Sequence, residues 1–170
     1  QPDVDINNNE GGYDLEEVKA VLKKLEDINY TEKDHTIGVG HDTSKHGEDC
    51  KCKELISQDG TITKENIEIL LEYDIKRLAP QNLDNLTANQ MVAIISLSFN
   101  AGTVKSGDYI YDLLKENNFT SEEVMNGFLR YVRDRKIVSA GIIRRRIAEF
   151  LYFLTGDMHM DFEVDSCWPD

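Results

Sequence analysis

Basic residues are scarce in this chain of 170 residues: 19 Lys and Arg stand against 32 Asp and Glu, a formal net charge of −13. With no basic stripe, nucleic acid is excluded as a partner, because phosphate binding draws on clustered Lys/Arg charge. Long apolar runs are also missing, which excludes a helical membrane span. Three prolines and 40% hydrophobic residues fit one ordinary globular domain. A chain of this length hides about two-thirds of its unfolded surface on folding. The front of the sequence lacks the basic, apolar and small-residue order of a signal peptide, and a chain that begins at Gln1 without an initiator Met is expected to be either a mature chain or an engineered piece.

Cysteines are few and odd in number: Cys50, Cys52 and Cys167. A one-residue gap strains a Cys50–Cys52 bond, so the expected disulfide joins one of them to Cys167 and leaves the third thiol free. The alternative is a reduced, cytosolic protein. Three Asn-x-Thr triplets, at Asn29, Asn85 and Asn118, are glycan acceptors only in a eukaryotic secretory setting.

Residues 1–12 are polar, Asn-rich and end in a Gly pair, the composition of a disordered tail. Residues 13–170 are expected to form a single two-lobed domain. Leu15, Val18, Val21, Leu22 and Leu25 recur at helical spacing, predicting a first helix that ends near Glu26. Residues 28–62 lose that period and hold four glycines, which predicts a small antiparallel sheet with a loop. A second helical stripe runs through Ile67, Leu70, Leu71, Ile75 and Leu78, and Pro80 stops it. The run from Met91 to Phe99 is apolar nearly all round, the mark of a helix buried by its neighbours. Thr87 with Gln90 predicts a capping box at its start, and Thr120 with Glu123 another for a later helix. A last helix is expected through the segment that begins at Gly141 and is stopped by Gly156.

Three separated motifs then fall in an informative order. Thr36-Ile37-Gly38-Val39-Gly40-His41 is similar to the T-I-G-Y-G-H strand and turn of the phage-type lysozymes, glycoside hydrolase family 24. Ser96-Leu97-Ser98-Phe99-Asn100-Ala101-Gly102 resembles that family's S-x-x-F-N-x-G, and Gly141 to Glu149, with Arg144, Arg145 and Arg146, resembles its G-L-x-x-R-R-x-x-E. Any one alone is commonly a tight turn, a core helix or a solvated Arg run. Jointly they specify a match over about residues 13–157, because agreement across levels is hard to obtain by chance. The resemblance implies an α+β fold: mainly helical and lysozyme-like, with a small antiparallel β lobe and a helical lobe around a central buried helix.

Glycoside hydrolysis needs one carboxylic acid to protonate the leaving oxygen and a second carboxylate to activate water or attack the sugar. The family places a Glu at the end of helix one, an Asp after eight residues, and Thr after five more. Counting back from Thr36 without gaps puts Tyr30 and Val21 at those positions, and neither can move a proton in that way. Two readings remain open. In one the hairpin is shorter, Glu26 is the acid, Glu32 or Asp34 is the second carboxylate, and Thr36 helps hold water. In the other both carboxylates are lost, and the protein is a pseudoenzyme that binds glycan or inhibits a partner.

The resemblance further implies that Phe99, Asn100 and Gly102 contact substrate, that Arg145 stands behind the acid, and that His41, also counted among the substrate-binding residues, pairs with Asp74. His41, His46, Cys50 and Cys52 fall within twelve residues, but their spacing is not one of the common zinc patterns. No metal and no cofactor are expected. The implied function is a secreted, monomeric, antimicrobial hydrolase of β-1,4-linked N-acetylamino sugars, peptidoglycan first and chitin second.

Overall fold

The computed structural model describes residues 12–45, 50 and 52–162. The expected tail, apart from Gly12, lies outside the described residues, as do His46 and Cys167. Two compact units result: Leu15–Leu78, and the described residues on either side of it.

The first unit begins with α1, Leu15–Leu25, which buries Val18, Val21 and Leu22. Glu16 and Glu17 lie in its first turn and Lys23 and Lys24 in its last, each sign complementing the nearby end of the helix dipole. The helix stops as the sequence period does, with the Glu26 amide donating to the Leu22 carbonyl at 2.8 Å.

Three antiparallel strands follow in the order β1-β2-β3: Ile28–Lys33, Thr36–Val39 and His41–Asp42. Asp34 and His35, at φ 50° and 62°, make the two-residue turn between β1 and β2, and positive φ at both positions matches the twist of the paired strands. Lys33 pairs with Thr36 and Ile28 with Val39, with an irregularity in register between. Thr36 pairs with Asp42 and Ile37 with His41.

After a 3-10 turn at Thr43–Lys45 comes α2, Cys52–Leu55, then α3, Lys64–Leu78. The isolated bridge Thr31–Thr61 ties the intervening loop to β1, and Ile56–Ile62 closes that loop on itself. Helix α3 buries Ile67, Leu70, Leu71 and Ile75, and packs against α1 and β2. Each fully buried aliphatic side chain of this kind contributes roughly 1.5–3 kcal/mol.

The second unit is helical: α4 Ala88–Ala101, α5 Tyr109–Glu116, α6 Ser121–Leu129 and α7 Ala140–Thr155. A short hairpin, β4 Arg133–Asp134 with β5 Ile137–Val138, precedes α7. Both capping boxes form as the sequence predicts, Thr87 with Gln90 on α4 and Thr120 with Glu123 on α6. In α4 every residue from Met91 to Ser98 is buried, and the helix packs against α7. Phe128 of α6 meets Phe150 and Phe153 of α7 edge to face, with ring centroids 6.5 and 6.1 Å apart. The secondary structure is α+β, mainly helical with small antiparallel sheets, as the motifs imply. Among the described residues no helix is long and apolar enough to cross a membrane.

Candidate active site

Where α1 runs out, its last turn delivers Glu26, half-buried, to the turn between β2 and β3. Gly40 occupies that turn at φ 65°. A Cβ there would lie 2.9 Å from both the carboxyl carbon and Oε2 of Glu26. Absence of a side chain therefore does two things at once: it permits the left-handed backbone, and it lets the carboxylate rest against the main chain. Val21, by contrast, is 3% exposed on the inner face of α1, and Tyr30 is 51% exposed on β1. The helix end thus presents Glu26, not Val21.

The other proposed carboxylates stand on the hairpin. Glu32 is exposed near the end of β1, and its Oε1 accepts a hydrogen bond from the Thr43 hydroxyl at 2.8 Å. Asp34 is exposed at the hairpin tip, where positive φ is tolerated by a short polar side chain. Thr36 opens β2, half-buried, beside the wholly buried Ile37.

His41 begins β3 and is 2% exposed, as is Asp74 on α3. Nδ1 of His41 lies 2.5 Å from Oδ2 of Asp74. The second oxygen of Asp74 accepts from Nη2 of Arg77 at 3.1 Å. His41 is therefore held in the interior, where it fixes the turn that carries Gly40.

In the helical unit Asn100 is exposed near the end of α4, Phe99 is half-buried, and Gly102 is exposed as the C-cap, its amide donating to the Ser98 carbonyl. Arg145 is 8% exposed, with Nη2 donating to the Ser96 carbonyl at 3.3 Å. Its neighbour Arg146 is buried more deeply and donates to the Tyr131 carbonyl through Nε, to Glu149 through Nη1, and to the Asn100 side-chain oxygen through Nη2. The residue that fixes Asn100 is thus Arg146, which sequence reading passed over for Arg145. Helix phase does not separate the two, since Arg145 and Arg146 both lie among the buried residues of α7, one turn before Glu149.

The expected cysteine pairing is corrected. Sγ atoms of Cys50 and Cys52 lie at disulfide distance, with Cα atoms 5.2 Å apart. The Lys53 amide donates to the Cys50 carbonyl at 3.1 Å where α2 begins, so the short gap does not keep the two side chains apart. That pair also meets His41: one ligand atom from each of the three lies within 4.8 Å of the others, and all three residues are buried.

Comparison with known proteins gives the family and the fold. The family model described as phage lysozyme matches residues 20–149. An endolysin of Bacillus phage B103 is 31% identical over 134 residues, covering 75% of this chain and 46% of the endolysin. The chain thus spans about half the length of that curated relative. The solved structure of an endolysin from Escherichia coli O157:H7 phage FAHEc1 superposes with a TM-score of 0.64 at 19% identity, covering 88% of this chain and 98% of that one.

Proposed function

From a chain that belongs to the phage lysozyme family, we propose a glycoside hydrolase that cleaves the β-1,4 bonds of peptidoglycan, with Glu26 as general acid. The observation that carries this reading is the seating of the Glu26 carboxylate against Gly40 of the T-I-G-V-G-H turn. A carboxyl held at a fixed place by the backbone suits a group that must meet one glycosidic oxygen.

In this scheme Glu26 gives its proton to the leaving oxygen while the bond to the anomeric carbon breaks. Water adds to that carbon, and its proton passes to the second carboxylate. Glu32 suits the second role better than Asp34, because the Thr43 hydroxyl holds its carboxylate in place. Thr36 helps orient the water. Phe99, Asn100 and Gly102 contact the polymer, with Arg146 fixing the Asn100 side chain and Arg145 in a supporting place. The names of the similar proteins favour peptidoglycan over chitin as the substrate.

The test is turnover of purified peptidoglycan, read as new reducing ends, by the parent protein and by Glu26→Gln. Loss of general acid catalysis predicts a drop of about 10²–10⁴-fold, with unchanged melting. Glu32→Gln should lose far more activity than Asp34→Asn. A net charge of −13 repels an anionic wall, so turnover on whole cells should rise between about 10 and 150 mM NaCl, as screening shortens the field. Binding of peptidoglycan without turnover at any salt concentration overturns the proposal in favour of a non-catalytic glycan-binding module.

A further inference from the structure

We propose that Asn100, its side-chain oxygen pinned by Arg146, offers its NH2 group to the acetamido carbonyl of the sugar polymer and so selects N-acetylated over de-N-acetylated glycan; the choice of polymer rests on the peptidoglycan reading above.

The chemistry of arginine fixes which way the Asn100 amide faces. Arg146 meets Asn100 through Nη2. A guanidinium has five N–H donors and no acceptor, so only the amide oxygen, Oδ1, can be the atom that meets it. Arg146 is itself 1% exposed, and is held at two further points: Nε donates to the Tyr131 carbonyl at 2.8 Å, and Nη1 donates to the buried Glu149. A planar fork gripped at its other corners cannot swing aside to let the amide turn over. Both residues belong to the helical unit, where α4 packs against α7, so the pairing is set within one compact body. Asn100 is exposed near the end of α4, and Nδ2 is its outward group. Among the described residues nothing accepts a hydrogen bond from that nitrogen.

A group made of two N–H donors recognises an acceptor. Solvent satisfies an exposed amide, and a polymer that displaces the solvent must bring an oxygen of its own or leave a donor unpaired. On an N-acetylamino sugar the acetamido carbonyl is the strongest neutral acceptor. De-N-acetylation replaces it with an ammonium, which has donors only, so that donor faces donor. A site arranged to bond one group rejects the analogue that lacks it. The net charge of −13 pulls the other way, because it attracts a polymer bearing ammonium groups. The preference is therefore read at about 0.5 M NaCl, where screening confines charge effects to close range.

Co-sedimentation on ice with insoluble peptidoglycan, and with the same material after enzymatic de-N-acetylation, measures binding by the full chain. The parent should bind the acetylated material at least about threefold more tightly. Asn100→Asp is nearly isosteric and keeps an oxygen for Arg146, but turns the outward atom from donor to acceptor, so the preference should fall by about tenfold and reverse. Asn118→Asp, an exposed change of the same charge, should keep the parent's preference. Asn100→Ala adds no charge, and should lose about 3- to 10-fold in affinity for the acetylated material alone. Thermal melting verifies that each variant is folded, and a merely structural role for Asn100 would leave the ratio of the two affinities unmoved. A parent that binds both materials equally, or a preference that survives both Asn100→Asp and Asn100→Ala, overturns the proposal. A parent without turnover that shows the preference, and loses it on replacement of Asn100, removes the hydrolase reading and leaves the donor role of Asn100 standing.

Discussion

Gly40 and the Glu26 carboxylate occupy one place: a methyl group at position 40 would sit 2.9 Å from Glu26 Oε2. Gly60 offers the matched contrast, with φ 78° and nothing within 4 Å of its ideal Cβ. Both positions charge an alanine about 1 kcal/mol for left-handed backbone. Only Gly40→Ala must also move Glu26. Gly60→Ala is therefore expected to lose about 1 kcal/mol in urea unfolding and keep its peptidoglycan turnover. Gly40→Ala should lose about 2–3 kcal/mol and most of its turnover. Equal turnover in the two variants would show that the carboxylate's seat has no bearing on activity.

How far the fold was legible depends on element length. Helix α4 could be read because its apolar run and Thr87–Gln90 box report the same boundary, and α1 because its stripe continues past Val21 to Leu25. Helix α2 is four residues long, too short for any period to show, and with it went the contact between Cys50 and Cys52. Helix α5, eight residues, was passed over for a related reason: Ile110, Tyr111 and Leu114 fill barely two turns. The position of Glu26 just past α1 was legible from where the apolar stripe runs out. The sequence puts His41, Cys50 and Cys52 within twelve residues, but at no common spacing, and their meeting in the interior is made by tertiary packing.

Acid stability should respond to the ion pairs between α1 and α3. Lys19, 8% exposed, lies 3.4 Å from Glu16, 3.7 Å from Glu68 and 3.6 Å from Glu72, while Lys23 bonds to Glu68 and Lys76 to Glu72. The Lys23 hydrogen bond holds the Glu68 carboxyl below its ordinary range, and the Lys76 bond does so for Glu72. A carboxyl with a depressed folded-state pKa adds stability above the unfolded value and loses it as pH falls through the folded one. Both side chains are partly open to water, so screening keeps each contribution below about 1 kcal/mol. Glu68→Gln should therefore be less stable than the parent at pH 7, and the gap in urea midpoint should close as pH drops through the carboxylate range. Adding about 1 M NaCl at pH 7 should narrow the same gap. A gap that widens on acidification contradicts the sign.

The three consecutive arginines of α7 should separate sharply in their effects. Arg144 is exposed, and replacement by alanine is expected to stay within about 0.5 kcal/mol of the parent. Arg146 is 1% exposed and bonds to the Tyr131 carbonyl, to Asn100 and to Glu149, which is itself 1% exposed. Removing Arg146 alone leaves a buried carboxylate without this partner, so Arg146→Ala should cost about 3–5 kcal/mol. Removing both charges spares that penalty, and Arg146→Ala with Glu149→Ala should therefore cost clearly less than the sum of the single changes. Arg146→Lys keeps the charge but cannot reach three acceptors with a planar fork, so it should recover only part of the loss. Urea unfolding of Arg146→Ala, Glu149→Ala, the double variant and the parent measures the coupling, and single costs that add without remainder would mean that the two buried charges are stabilised independently.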